Sequence, residues 1–170
     1  MRIAILSDIH DRLELLEEGL KKVQDCEALI CCGDLCSPFT AKALGEGFSG
    51  PVYVVFGNND GDVWRISANA IKRPNLHFLG ELGEVELGGK KFAIHHFDNV
   101  GRALAMSGQY DVVCCGHSHR YEVTRVGKTL LINPGEIYGR LTGLSSLAVY
   151  DTSSDRVEQI VLADFRNRRK

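Results

Sequence analysis

Apolar residues in this chain come in short runs that stop at polar or glycine-containing ends. The first run, in "MRIAILSD", is about five residues long, too short for a helix, and predicts a buried strand whose end delivers Ser7 and Asp8. From Arg12 to about Cys26, Leu13, Leu16, Leu20 and Val23 recur at spacings of three and four, the mark of one face of an amphipathic helix. "ALICC" predicts a second buried strand ending at Gly33-Asp34. Pro38 to about Phe48 reads as a weaker helix, opened by Ser37-Pro38 and loosened by its glycines. "PVYVVF" is a third strand, closed by "GNNDG". This β-α-β-α-β order implies parallel pairing with helical crossovers, and ligands in such sheets gather at the carboxyl ends of the strands.

After a poorly patterned connection from Trp64 to Pro74 the texture changes. "GEVELGGKKFAIHH" predicts a hairpin around Gly88-Gly89, Asn99 to Gly108 a short helix, and "YDVVCC" a strand ending at Gly116-His117. "YEVTRVGKTLLINPGE" and "SSLAVYDTSSDRVEQIVL" read as strand pairs with polar turns. No repeat, low-complexity segment or linker interrupts the pattern. The expectation is one α/β domain with mixed sheets over residues 1–170.

Composition narrows the setting. With 170 residues, 44% of them hydrophobic, the chain can bury one substantial core. A formal net charge of -2 supplies no basic field for nucleic acid or anionic lipid, and the "RNRRK" ending reads as a solvated tail. No apolar run approaches the roughly 18 residues that span a bilayer, and "IAIL" is too short for a signal-peptide core. A cytoplasmic protein is expected, in which the six cysteines are thiols.

Each cluster of residues able to hold a metal lies just after a predicted strand: Asp8 and His10 in "SDIH", Asp34 in "GD", Asn58 in "GNND", His95 or His96 in "IHH", and His117 and His119 in "GHSH". In an extended segment alternate residues point the same way, so Asp-x-His and His-x-His pairs are expected to face one site. Mixed imidazole and carboxylate donors suit first-row ions such as Mn, Fe, Zn, Co or Ni, and the set exceeds what one ion needs. Two ions about 3.5 to 4 Å apart with a shared carboxylate would use it. The neighbouring pairs Cys31-Cys32 and Cys114-Cys115 project to opposite faces and form no CxxC, so they read as core residues. Among the cysteines Cys36, in the loop after Asp34, comes nearest to a ligand position.

The ordered set D-x-H, G-D, G-N-x-D, a strand-end histidine and G-H-x-H resembles the calcineurin-like metallophosphoesterases, above all their small archaeal and bacterial phosphodiesterases. The motifs run from Asp8 to His119, and "INPGE" with "GRLTG" resembles the late segment of that subgroup. The resemblance implies a four-layer αββα sandwich with a dimetal site at its rim. One metal would take Asp8, His10 and His119, the other Asn58, His96 and His117, with Asp34 bridging; Asn58 would also face the substrate. His96 is preferred to His95 because the family's histidine stands directly before a glycine, a place held here by Phe97. The implied reaction is hydrolysis of a small phosphodiester by a metal-bridging hydroxide in line with the leaving group, with manganese expected and Ni, Fe, Zn, Co or Mg as alternatives. Two divalent ions offset by two carboxylates leave a charge that hydroxide and a singly charged diester would cancel.

One position departs from the larger family members: Asn59 stands where they carry a histidine that assists the leaving group, and an amide is no general acid. His95 is then a candidate donor and Arg12 a candidate phosphate contact, although a helix start also explains Arg12. Asp60 could order the Asn58 loop or cap a helix, and Glu136 and Arg140 could line the cleft on family grounds. His77, Trp64 and Tyr53 read as structural. Two other readings stand beside the phosphodiesterase: a protein-binding scaffold like the retromer subunit of this fold, and a phosphomonoesterase or nuclease. Nucleic acid is not expected as a partner, and association between copies is left open by the motifs.

Overall fold

Strand register at one end of the molecule determines what the structure can do. The computed structural model describes residues 1–166, so all of the basic ending after Arg166 lies outside the described residues. In the first sheet β1 (Arg2–Leu6), β2 (Ala28–Cys31), β3 (Val52–Val54) and β4 (Leu76–Phe78) run parallel, with Leu6 beside Cys31 and Cys31 beside Val54. The residues that follow therefore emerge side by side. β10 (Leu144–Asp151) and β11 (Arg156–Asp164) complete this sheet antiparallel, giving the order β11-β10-β1-β2-β3-β4.

The second sheet has the order β5-β6-β7-β9-β8, built from β5 (Leu82–Leu87), β6 (Lys90–His95), β7 (Val112–Cys114), β8 (Tyr121–Val126) and β9 (Thr129–Pro134). Its three central strands are parallel, with Ile94, Cys114 and Ile132 in line. The expected β5–β6 hairpin turns on Gly88 and Gly89, both at positive φ, as a two-residue turn between right-twisted strands requires.

Alternation along the strands sorts the core into layers. Ala4, Leu6, Leu29 and Cys31 face α1 (Leu13–Lys22) and α2 (Pro38–Gly47), meeting Leu16, Leu20 and Leu44. Ile3, Ile5, Ile30 and Cys32 face the other way and meet Phe92, Ile94 and Cys114 between the sheets. Ala93, Val113 and Cys115 point outward to α5 (Asp98–Met106), against Ala105. The result is the expected four-layer αββα sandwich, and the paired cysteines split across its layers as small core residues.

The unpatterned connection from Trp64 to Pro74 holds α3 (Val63–Ser67) and α4 (Asn69–Lys72), and β4 follows it; periodicity reveals none of them because each is at most five residues long. The helix expected from Arg12 to Cys26 is shorter, stopping at Lys22. Trp64 is 83% exposed on α3, and Tyr53 stacks on His77 at 5.2 Å, away from the strand-end loops. No helix among the described residues is long and apolar enough to cross a membrane.

Candidate active site

The loops after β1, β2, β3, β6 and β7 meet at the common carboxyl end. Backbone bonds knit them: Asp8 N–H donates to the Gly33 carbonyl at 3.1 Å, His10 N–H to the Asp34 carbonyl at 3.1 Å and Gly116 N–H to the His96 carbonyl at 2.8 Å. Across the sandwich, His117 N–H donates to Oδ2 of Asp8 at 3.1 Å. A Cβ at Gly116 would stand 2.7 Å from that same oxygen, so only glycine allows this approach.

The paired ligands converge differently from expectation. Asp8 and His10 have φ of 54° and 45°, and His117 and His119 have 66° and 62°. These segments are left-handed turns rather than extended strand, so the alternation argument does not apply; Asp8, His10 and His119 gather together by another route, and His117 does not join them. A non-glycine residue in this conformation costs roughly 1–2 kcal/mol, and such strain gathers at functional sites.

Two donor groups result, each with its atoms within 4.8 Å of one another: Asp8, His10 and His119, and Asp8, Asp34 and His96. Oδ2 of Asp34 lies 3.5 Å from Nε2 of His10 and 3.4 Å from Nε2 of His96, between the two groups. Nε2 of His119 is 3.3 Å from Oδ1 of Asp8. Asn58 joins the second group, its Oδ1 3.0 Å from Nε2 of His96. His117 comes near only through its ring, 5.2 Å from the His96 ring; it is exposed and its nitrogens belong to neither group.

These residues fit divalent metal. Oδ1 of Asp8 and Nε2 of His10 are buried with no hydrogen-bond partner among the described residues, and both belong to side chains of a donor group able to hold an ion. Burial disfavours a charged imidazole at His96 and His119, yet hydrogen bonds and nearby carboxylates outweigh it, from Asp34 and Asp8 for His96 and from Glu136 and Asp8 for His119. Both pKa values stand above the ordinary histidine value. Burial also opposes ionisation of Asp34, but His96 and Asn59 hold it well below the usual carboxylate range. The cluster draws positive charge, which divalent ions supply.

Supporting residues surround these donors. Asn59 donates its side-chain amide to Oδ2 of Asp34 and its backbone N–H to Oδ1, each at 2.8 Å. Asp60, buried, accepts from the N–H groups of Asp34, Gly57 and Cys36 at 3.0, 2.7 and 2.8 Å, tying two ligand loops together. It orders the loops and caps no helix; Asp62 caps α3. Glu136 lies behind His119 rather than in a cleft, its Oε2 2.9 Å from Nδ1. Carboxylates in this outer position set ring orientation and basicity in histidine–metal sites. Sequence reading places Glu136 only by family likeness, since nothing in "NPGE" shows its partner.

Two candidates fall outside the cluster. The guanidinium of Arg12 is engaged by Glu14 at 2.6 Å and the Tyr138 carbonyl at 3.2 Å. His95 ends β6, where alternation from Ala93 turns it to the outer side, and its Nδ1 accepts from Phe97 N–H. Cys36 Sγ lies 3.4 Å from Nδ1 of His10 and is in neither donor group; burial and the nearby Asp11 and Asp34 push its pKa up to about 12.

The chain is similar to known proteins over nearly its whole length. The sequence profile of the calcineurin-like phosphoesterase superfamily domain matches residues 1–155. A phosphodiesterase of Methanocaldococcus jannaschii is 33% identical over 166 residues, covering 95% of this chain and 99% of the relative. A solved archaeal phosphodiesterase superposes with a TM-score of 0.87 at 32% identity, over 95% of this chain and 99% of that one. Vps29 of Entamoeba histolytica, solved with zinc, shares the fold with a TM-score of 0.68 at 18% identity, over 95% of this chain and 99% of its own. On its strand-end motifs, its four-layer sandwich and these matches, the chain belongs to the calcineurin-like phosphoesterase superfamily.

Proposed function

We propose that this chain is a phosphodiesterase acting through two divalent ions, with a small phosphodiester as substrate, from a single domain. One observation carries the reading: two donor groups adjoin through Asp8, which belongs to both, and Oδ2 of Asp34 in the second group also lies within 3.5 Å of Nε2 of His10 in the first. Asp8, His10 and His119 would hold one ion and Asn58, His96 and His117 the other, with Asp34 common to both. Two divalent ions supply Lewis acidity that polarises phosphoryl oxygens and acidifies water.

The chain itself does the positioning. Asn59 presents Oδ2 of Asp34 at a fixed orientation, Glu136 directs Nε2 of His119 to Asp8, and Asp60 holds the loops that carry Asp34 and Asn58 in one arrangement. Such preorganisation is what in-line attack needs. The imidazole and carboxylate set suits manganese, with Ni, Fe, Zn, Co and Mg as alternatives. A formal net charge of -2 supports a small ester over nucleic acid, and a cytoplasmic setting agrees with six free thiols.

The deciding experiment compares bis-p-nitrophenyl phosphate with p-nitrophenyl phosphate on metal-stripped protein given back Mn, Ni, Zn or Mg, beside His117→Ala. Metal-dependent turnover favouring the diester, and lost in the variant, is the expected result. Two ions bound per chain with no turnover would shift the reading to a binding scaffold.

A further inference from the structure

A cleft of about 320 Å³ opens beside the donor cluster, and His119 belongs to both. Arg120, Tyr121, Thr142, Gln159 and Arg166 line it, and no aspartate or glutamate does. Arg166 is neutralised from outside the cleft by Asp164, with Nε 2.9 Å from Oδ1. Arg120 is exposed and has no hydrogen bond or ion pair among the described residues. Thr142 donates to Glu136 through both its N–H and its hydroxyl at 2.7 Å, and Glu136 accepts from His119, so the cleft wall and the metal-facing histidine form one bonded unit.

We infer that this cleft is a substrate subsite that takes a second anionic group, a phosphate or carboxylate on one arm of the ester, with Arg120 as its recognition residue. The inference rests on the phosphodiesterase reading of the adjoining cluster. An arginine fork matches such oxyanions through two parallel hydrogen bonds. With no acid among the described residues that line the cleft, the charge of Arg120 is not offset there. The volume lies at the low end for ligand pockets, roughly 300–1,000 Å³, and suits one small group rather than a base with its sugar. Among the described residues one unpaired cation lines the cleft, which is not the track of phosphate contacts that a nucleic acid strand requires. The favoured substrate is therefore a small diester carrying a further negative charge.

The test is calorimetric binding to metal-loaded protein of alkanediol bisphosphates of graded length against the matching alkyl monophosphates, in wild type, Arg120→Ala and Arg120→Lys. At least one bisphosphate is expected to bind about tenfold more tightly than its monophosphate. That preference disappears in Arg120→Ala and is partly kept in Arg120→Lys. Equal affinities in wild type, or a preference unchanged in Arg120→Ala, overturn the inference. So does binding of two monophosphates per chain with one lost in Arg120→Ala, which would make the cleft an independent anion site. Turnover of bis-p-nitrophenyl phosphate by wild type tests the catalytic reading separately, and the binding comparison decides the cleft without it.

Discussion

Nδ1 of His119 lies 2.9 Å from Oε2 of Glu136, a carboxylate fully sealed from solvent. The pairing leaves Nε2 of His119 to face Asp8 and gives the ring more negative character than water would. Outer-shell carboxylates of this kind change metal affinity about 10–100-fold. Glu136→Gln keeps the volume and an oxygen acceptor but removes the charge, so metal affinity should fall about tenfold while the fold persists, read by calorimetric titration with manganese or zinc. An unchanged affinity would reduce Glu136 to an anchor for the loop through Leu141 and Thr142.

Asp60 gathers three backbone N–H groups from two ligand loops and is buried. Hydrogen bonds to a charged group contribute about 1.5–3 kcal/mol each. Asp60→Asn places an NH2 where an acceptor is needed, and a loss of about 2 kcal/mol is expected. For a chain of this size that lowers Tm by roughly 4–8 °C. A melting curve coincident with wild type would show that water replaces the carboxylate.

The sandwich was legible wherever a run exceeded four residues and had a partner face: Leu16 and Leu20 announced α1, and the unbroken apolar run "ALICC" announced β2. The ligand motifs were legible as residue types in order. Their geometry was not, because side-chain type says little about whether Asp8 or His119 takes a left-handed backbone. β4 was hidden because its three residues, Leu76–Phe78, are too few for a period. The partners of Asp60 and Glu136 were hidden because such contacts depend on loops meeting in space.

Asn59 occupies the place of a leaving-group acid but is committed to Asp34 through both its amide groups. Asn59→Ala should weaken metal binding by freeing Oδ2 of Asp34. Asn59→His should raise turnover of alkyl esters relative to p-nitrophenyl esters, since an imidazole can protonate a poor leaving group. The ratio of the two substrates is the measurement, and a ratio that stays put removes the case for a missing acid.

His95 points to the outer side of its sheet and accepts from Phe97 N–H, so it is not positioned to replace that acid. His95→Ala is expected to keep turnover within about twofold of wild type, whereas His96→Ala should abolish it. A large drop with His95→Ala, at unchanged Tm, would return His95 to the chemistry.

Metal removal should make stability depend on pH in a defined direction. Asp34 and Asp8 hold the pKa of His96 above its ordinary value against burial, and Glu136 and Asp8 do the same for His119. A histidine whose folded pKa is raised contributes stability that is complete below its unfolded value, about 6.5, and is lost as pH rises through the folded value. Asp34 is ionised throughout this range and does not oppose the trend. The metal-free protein should therefore lose Tm over the interval in which pH rises from the unfolded histidine value, about 6.5, through the raised folded values. Bound metal requires neutral imidazoles, so its effect should run the other way and grow over the same interval. At a hundred times the dissociation constant one ion contributes about 2.7 kcal/mol, a rise of roughly 5–10 °C in Tm. Melting curves with and without manganese at both ends of the interval decide the matter. A metal-free Tm that stays level or rises with pH would mean that the protons on His96 and His119 do not stand in for the ions.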